Sequence, residues 1–308
     1  MPCVFGPVAS RRLGISLGVD LVTAKTCSYD CLYCQVGRTT AHVVEPQALI
    51  PVSQVLQELK QRLSNVEPDT ITFSGSGEPT LHPRIDEVVA FIKDRTSVQT
   101  AILTNGSLLW RQDVRARISG AHIVMPTLTT AYEETFKAIH RPHPGLHLDK
   151  IITGLKEFRK MYQGNLLLEV ILLAGYNDSP QELEALRQVV HEIAPDKIQL
   201  NTVVRPPADS KAVALDGDRL AAIKGFFGPD AEIIAHCPRP QTEPGVGSLA
   251  ETILNMAKRR PVRAQDVAGA LNAPLAEVEG IMKGLLMKGT LQQREFAGDA
   301  YYIEKDRS

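Results

Sequence analysis

The stretch that decides the fold carries three of the five cysteines of the chain. It follows an apolar, strand-like run at 15–22 and reads Lys25-Thr26-Cys27-Ser28-Tyr29-Asp30-Cys31-Leu32-Tyr33-Cys34. The cysteines have C-x3-C-x2-C spacing. Thiolates hold iron–sulfur clusters, and a cluster of four irons normally takes four of them. Three clustered thiolates would therefore leave one iron open to coordination by a small molecule.

Two other interpretations of Cys27, Cys31 and Cys34 stay open on the residues alone, a zinc site and buried structural thiols. Zinc prefers four ligands, usually supplied as two pairs. The sequence offers no second cysteine pair, and no histidine follows Cys34 within the next few residues. The spacing therefore favours an iron–sulfur cluster.

The same cysteines resemble the cluster motif of the radical SAM superfamily. The resemblance implies that Cys27, Cys31 and Cys34 ligate a [4Fe-4S] cluster whose fourth iron is chelated by S-adenosylmethionine (SAM). It also implies reductive cleavage of SAM to a 5′-deoxyadenosyl radical that takes a hydrogen atom from a substrate. An aromatic residue before the last cysteine is usual in that superfamily, and Tyr33 occupies this position. We expect Tyr33 to lie near the adenine of SAM.

A second part of the resemblance lies after the predicted strand at 70–74, in the run Gly75-Ser76-Gly77-Glu78-Pro79. Glycines let a backbone come close to a ligand, and the Glu78 carboxylate can accept a hydrogen bond from an amino group. A Gly-Gly-Glu-Pro-like motif binds the methionine amino group of SAM in the superfamily, and Ser76 stands where the second glycine is usual. The resemblance implies that this run binds SAM.

Three further residues complete the predicted cofactor contacts. Thr104 and Asn105 follow a predicted strand at 98–103, where family members contact the ribose and carboxylate of SAM, although Thr-Asn-Gly is also a common turn. Glu169 interrupts an apolar strand. Because a buried carboxylate needs a partner, Glu169 either faces SAM or belongs to an internal ion pair.

Strand and helix patterns alternate from residue 52 to about residue 235. Such alternation predicts an α/β fold of parallel strands joined by crossover helices. About six units make a partial (β/α)6 TIM-type barrel, which is also the radical SAM core, and ligands sit at the carboxyl ends of such strands. We expect this barrel to occupy residues 1–248.

Residues 249–308 read as three helices and a hairpin, which predicts a small C-terminal winged helix-turn-helix domain. A DNA reader presents basic or amide side chains near the N-terminus of its third helix, whereas this one presents Glu277 and Glu279. Nine Lys and Arg stand against eight Asp and Glu over 251–308. We therefore expect no specific DNA binding, and favour a module that faces a protein, a peptide or RNA.

Candidate substrate residues lie in three loops. Arg205 could grip a carboxylate or a phosphate. His140, in His-Arg-Pro-His-Pro, could act as an acid–base group or belong to a rigid connector. Cys237 could donate a hydrogen atom or serve as an auxiliary ligand, although such a cysteine is more often a small buried residue.

Other strings resemble the wybutosine-synthase-like branch of the superfamily, which includes a tRNA-modifying enzyme. They are Phe5-Gly6-Pro7-Val8, Ser10-Arg11-Arg12-Leu13-Gly14 and Gly175-Tyr176-Asn177-Asp178. The resemblance implies a tRNA-like nucleotide as substrate, but the chain lacks the cysteines for that enzyme's second cluster and a clear mid-barrel lysine. Modification of a peptide or protein is the alternative. A redox-sensing DNA-binding regulator is a third interpretation, against which the Gly-Glu-Pro motif argues, because a sensor needs no SAM site.

Composition gives weaker indications. The chain is 44% hydrophobic and 22% charged, and its net charge of −1 provides no overall attraction to nucleic acid. No apolar run is long enough to span a bilayer, and the N-terminus lacks a signal-peptide pattern. We therefore expect a cytoplasmic protein without a membrane partner, reduced by an electron donor such as flavodoxin or ferredoxin.

Overall fold

The computed structural model describes residues 2–10, 12–235 and 249–305. The first ten strands in chain order are β1 (Val4–Ala9), β2 (Ile15–Val19), β3 (Thr26–Cys27), β4 (Ala41–His42), β5 (Thr70–Phe73), β6 (Gln99–Thr104), β7 (Ile123–Pro126), β8 (Asn165–Ile171), β9 (Lys197–Asn201) and β10 (Ala231–Ile233). Eight of them form one sheet in the order β1-β2-β5-β6-β7-β8-β9-β10, and β3 and β4 form a separate short pair. In the large sheet β1 is antiparallel to β2, and all other neighbours are parallel.

Helices connect the parallel strands. They are α1 (Val52–Leu63), α2 (Ile85–Arg95), α3 (Gln112–Ile118), α4 (Glu133–His140), α5 (Leu148–Met161), α6 (Pro180–Ile193) and α7 (Gly217–Phe227), with a short 3-10 helix at Pro79–Leu81. Each helix buries one apolar face, as α1 does with Val52, Val55 and Leu59. Strand β5 is buried at every position, as expected for a parallel strand covered on both faces. The predicted α/β class with a mostly parallel sheet is confirmed.

A contact across the sheet shows how strongly it curls. Arg12, in the turn between β1 and β2, donates through Nη1 to Glu169 on β8 at 3.0 Å and to Gln199 on β9 at 3.2 Å. Strands β1 and β10 are the two ends of the strand order and do not pair with each other. The sheet is therefore consistent with an incomplete barrel, with Arg12 reaching across its interior.

The C-terminal part has its own buried cluster of apolar side chains. Its elements are α8 (Leu249–Arg259), α9 (Ala264–Leu271), α10 (Leu275–Met287), β11 (Leu291–Phe296) and β12 (Asp299–Glu304), with β11 and β12 forming an antiparallel hairpin. Three helices and a hairpin were predicted here. Assignment as a winged helix and a domain boundary after residue 248 stay predictions.

Several details differ from the sequence-based expectations. Strand β1 was not predicted. The apolar pattern of the sequence predicts a helix at 108–118, but α3 begins only at Gln112 because residues 106–111 form tight turns, with Leu109 N bonded to the Gly106 carbonyl and Arg111 N to the Leu108 carbonyl. Among the described residues, the large sheet has seven parallel strands, whereas about six strand–helix units were predicted. Cys237 lies outside the described residues. Over the described ranges, no helix is both long and apolar enough to cross a bilayer.

Candidate active site

The three clustered cysteines lie in the segment from β3 to residue 37, called here the cysteine loop. Cys27 ends β3, and Cys31 and Cys34 follow in irregular structure; all three are partly exposed. The loop docks on the end of α4, where Leu32 N donates to the Ile139 carbonyl at 2.9 Å. Three thiols are thus gathered beyond the carboxyl end of β2, at the edge where a barrel binds its ligands.

Although the cysteines are partly exposed, the surrounding protein disfavours their charged form. Desolvation raises the pKa of Cys27 to about 12 and the pKa of Cys31 well above its ordinary value. Electrostatic repulsion adds to both shifts, from Glu78 and Cys34 at Cys27 and from Cys27 and Cys34 at Cys31. A metal group binds thiolates, so the cysteines would have to lose their protons when the group binds. The positive charge of its metal ions would stabilise the thiolates that result.

The donor set is compatible with an iron–sulfur cluster. Within the described part of the chain, no three His, Cys, Asp or Glu side chains converge closely enough to hold one metal ion. A four-iron cluster has a different requirement, because each thiolate binds a separate iron. Three nearby but separate thiols on one partly exposed loop match that requirement and leave one iron open.

His140 lies beneath the cysteine loop, with 2% of its surface exposed. Its Nδ1 is 3.2 Å from Cys31 Sγ, and its Nε2 is 2.6 Å from Thr129 Oγ1. Desolvation lowers the pKa of His140 to about 3, so the ring is neutral. If Cys31 bound a metal group as a thiolate, it could only accept, so Nδ1 would carry the proton and Nε2 would accept from the Thr129 hydroxyl. Tyr33 also meets this ring, with its hydroxyl 3.4 Å from Nδ1.

Glu78 joins two strand ends. Its Oε1 accepts from Thr80 N at 3.0 Å, Thr80 Oγ1 at 2.6 Å and Thr104 Oγ1 at 2.6 Å. Its Oε2 accepts from Asn105 N at 2.7 Å, which leaves this oxygen the capacity for a further donor. Burial raises the pKa of Glu78, and the four hydrogen bonds oppose that shift. The predicted residues Glu78, Thr104 and Asn105 therefore form one unit, which Pro79 follows at the start of the 3-10 helix.

The glycine-rich run lies against the cysteine loop. Glu78 N donates to the Thr26 carbonyl at 3.1 Å, and a Cβ on Gly77 would overlap that same oxygen. The Ser76 side chain points toward buried Asp20, to which its hydroxyl donates a hydrogen bond at 2.6 Å. A Cβ on Gly75 would also collide with the Asp20 carboxylate. Asp20 thus explains a serine where the superfamily usually has glycine, and sequence reasoning missed it.

Asn105 connects the second strand end to a cysteine. Its Nδ2 is 3.5 Å from Cys27 Sγ and donates to Ser28 Oγ at 2.9 Å, while its Oδ1 accepts from Ser107 N at 2.9 Å. Neither serine was among the predicted site residues. The amide is therefore fixed in orientation, with its donor toward the thiol.

Glu169 belongs to an internal ion pair, one of its two expected environments. Besides Arg12, its Oε1 accepts from Asn201 Nδ2 at 3.0 Å. Arg205 is 6% exposed and donates through Nη1 to Oε1 of Gln35, a residue of the cysteine loop, at 3.1 Å. Arg205, Gly75 and Gly77 line the same cavity of about 310 Å³. The structure thus places Arg205 next to the glycine-rich run.

Comparison with known proteins agrees with this geometry. The model of the Radical SAM superfamily matches residues 21–189. A UPF0026 protein of Methanocaldococcus jannaschii is 32% identical over 318 residues, covering 100% of this chain and 98% of that protein. A Brachyspira hyodysenteriae protein described as GTPase Obg is 36% identical over 303 residues, covering 97% of this chain but only 45% of that longer protein.

A solved structure shows the same fold. The structure of TYW1 with a lysine-pyruvate adduct bound aligns with a TM-score of 0.51 and 19% identity, covering 72% of this chain and 75% of that chain. At that identity the likeness concerns the fold alone. The family model, in contrast, covers more than half of the sequence and includes the cysteine loop, the glycine-rich run and Asn105. The chain belongs to the radical SAM superfamily of enzymes.

Proposed function

We propose that this enzyme binds a [4Fe-4S] cluster through Cys27, Cys31 and Cys34 and cleaves SAM reductively beside it. When bound and reduced, the cluster would supply one electron to SAM, which yields methionine and a 5′-deoxyadenosyl radical that abstracts hydrogen from the substrate. The observation that carries the proposal is the hydrogen-bonded connection of Asn105 to both Cys27 Sγ and the Glu78 carboxylate. This connection supports the proposal, because the proposed cluster ligand Cys27 and the run that resembles the SAM motif share one hydrogen-bonded neighbour.

The remaining residues have positioning roles in this proposal. SAM would lie against the run at 75–79 and against Thr104 and Asn105, with Tyr33 near its adenine. Asn105 and His140 would donate to cluster thiolates, which orients the ligands before the cluster binds. Glu169, held by Arg12, would contribute to the polar wall of the barrel interior rather than bind SAM by itself.

For the substrate we favour a tRNA-like nucleotide, and keep a peptide or protein as the alternative. In both cases the C-terminal part would act as a winged-helix recognition module, and a cytoplasmic flavodoxin or ferredoxin would supply electrons. Glu277 and Glu279 are exposed on α10, where they would repel phosphates. Their exposure supports the expectation that the module does not read DNA and disfavours the redox-sensing regulator.

The test is production of 5′-deoxyadenosine by the anaerobically reconstituted protein with dithionite and SAM. The parent should form it, and Cys31→Ala should form none. Cys3→Ala is a matched control, since Cys3 is a buried core residue outside the cysteine loop. Full iron loading without 5′-deoxyadenosine, alone or with bulk tRNA, would contradict the proposal and support a sensor.

A further inference from the structure

The cavity of about 310 Å³ lies between the curled sheet and helix α8, and arginines dominate its charged lining. Arg12 and Arg205 come from the barrel part, and Arg259 and Arg260 come from the end of α8. Among the described residues, no aspartate or glutamate lines this cavity. Such a lining favours an anionic occupant, because each guanidinium offers planar donors suited to phosphate or carboxylate.

Arg259 gives the clearest sign of a missing partner. It is 5% exposed, with Nη1 donating to the Asn255 carbonyl at 3.2 Å and Nη2 to the Pro2 carbonyl at 2.6 Å. Its guanidinium stacks on Phe5, 4.1 Å from the ring centroid. Within the described residues, its buried Nε has no hydrogen-bond acceptor. A buried donor without an acceptor is costly, so the described residues do not fully satisfy this guanidinium.

Arg259 lies near two carboxylates, although its own hydrogen bonds go to neutral groups. Desolvation lowers the pKa of Arg259, whereas the nearby carboxylates of Asp20 and Glu58 oppose this shift. Asp20 is itself turned toward Ser76, which donates to it through both N and Oγ. The hydrogen bonds of Arg259 itself go to neutral carbonyl groups. An anion in the cavity would therefore add counter-charge that these neutral acceptors do not provide.

We propose that this cavity anchors the substrate through an oxyanion, either a phosphate or a carboxylate, and that α8 completes the anchor with Arg259 and Arg260. Gly75 and Gly77 line the same space, so the anchored substrate would lie beside the proposed SAM site. This rests on the proposed function only in naming the anion as part of the substrate. The C-terminal part is then a component of the active site as well as a recognition module.

Anion binding can be measured with simple probes on the full chain. Inorganic phosphate and acetate are titrated calorimetrically into the anaerobically reconstituted protein at constant ionic strength. One saturable site is expected. Phosphate should bind more tightly than acetate if the anionic group of the substrate is a phosphate, and acetate should bind more tightly if that group is a carboxylate. Arg260→Gln, at a partly exposed position, should weaken this site about tenfold, the effect of losing one charge-assisted hydrogen bond.

Two further variants guard against a folding artefact. Arg259→Lys keeps the charge but loses the planar fork, and should also weaken the site. Arg84→Gln makes the same charge change at an exposed position outside the cavity and should bind like the parent. Absence of saturable binding of either anion, or unchanged binding by Arg260→Gln, would overturn the proposal.

The SAM carboxylate is the competing occupant, so the titration is repeated with saturating SAM. The proposal requires that phosphate or acetate still binds, and that Arg260→Gln leaves SAM affinity within about twofold of the parent. Competition between the anion and SAM would assign the arginines to SAM and overturn the proposal. Failure to form 5′-deoxyadenosine would instead concern the proposed function, since anion binding requires no turnover.

Discussion

The contact of His140 Nδ1 with Cys31 Sγ gives a prediction about the reduction potential of the proposed cluster, in which this nitrogen would donate to the thiolate. Hydrogen bonds to cluster sulfurs stabilise the more negative, reduced state. His140→Phe keeps a buried ring but removes the donor, so the midpoint potential should become more negative. A net hydrogen bond of about 0.5–1.5 kcal/mol corresponds to roughly 20–60 mV for one electron. The shift can be measured by a redox titration followed by electron paramagnetic resonance.

Two variants show whether that shift comes from the donor. Thr129→Val removes the hydroxyl that bonds His140 Nε2 and should shift the potential in the same direction by less, because the ring stays. His191→Phe changes an exposed histidine and should leave the potential unchanged. An unaltered potential in His140→Phe would mean that His140 only fills space beneath the loop.

A second prediction concerns the Glu78 carboxylate and the stability of the fold. Two backbone N–H groups, from Thr80 and Asn105, donate to different oxygens of Glu78. In Glu78→Gln, either orientation of the amide places its NH2 group against one of them and leaves a buried donor unsatisfied. The free energy of unfolding in urea should fall by about 1–3 kcal/mol. Glu87→Gln, at an exposed position, should leave it unchanged, and equal stability of both variants would contradict the argument.

How far single residues could be predicted depended on the distance along the chain between partners. The cysteine spacing and the Gly-Glu-Pro run are local patterns, and they are sufficient to identify Glu78 from the sequence. The pairing of Arg12 with Glu169 joins residues 157 positions apart, and no local pattern encodes it. Asp20 was also missed, because a single aspartate after an apolar run has no signature until Ser76 is placed against it.

At the scale of elements, we predict opposite effects of an alanine substitution at two glycines. One lies where the glycine-rich run touches β3, and the other lies on an exposed helix face. Gly77→Ala would force a Cβ onto the Thr26 carbonyl and break its bond to Glu78 N. We expect a loss of roughly 1–3 kcal/mol from overpacking, and weaker iron loading. Gly225→Ala lies on the exposed side of α7, where a Cβ meets nothing, and should gain about 0.5–1 kcal/mol.

Urea unfolding curves of the two alanine variants provide the test, with iron content measured after reconstitution. Loss of stability in both variants would point to a general intolerance of the fold. A neutral Gly77→Ala would mean that the cysteine loop can move away from the run, and the close approach of the two loops would then not be required.

Elements with strong end signals were the most predictable. The sequence pattern predicts a helix at 180–193, and α6 has these bounds because the Ser179 side chain accepts from Glu182 N, Pro180 is its first residue, and Ala194 ends it in the left-handed region. Helix α3 lacked such a start signal. Leu108 and Leu109 continue an apolar helical pattern, yet both are fully buried in the turn after β6, so tertiary packing decided where the helix begins.

At the scale of the whole molecule, the hairpin contacts the loop that carries Arg205, one of the two cavity arginines from the barrel part. The Tyr301 hydroxyl on β12 donates to the Val204 carbonyl at 3.0 Å, one residue before Arg205. Burial raises the pKa of Tyr301, so the phenol keeps its proton and remains a donor. Arg259 already connects the C-terminal part to the barrel, through its hydrogen bond to the Pro2 carbonyl and its stacking on Phe5. The Tyr301 hydrogen bond is a second connection.

Tyr301→Phe removes that bond and keeps the ring, so it should ease opening of the hairpin without unfolding the barrel. A loss of about 0.5–1.5 kcal/mol corresponds to roughly two- to tenfold faster amide hydrogen exchange in β11 and β12, with unchanged exchange in β5 and β6. Tyr302→Phe makes the same change at the neighbouring tyrosine, whose backbone pairs with Val262, and should exchange like the parent. Equal acceleration in both variants would assign the effect to the hairpin itself, and the Val204 contact would then not link the C-terminal part to the barrel.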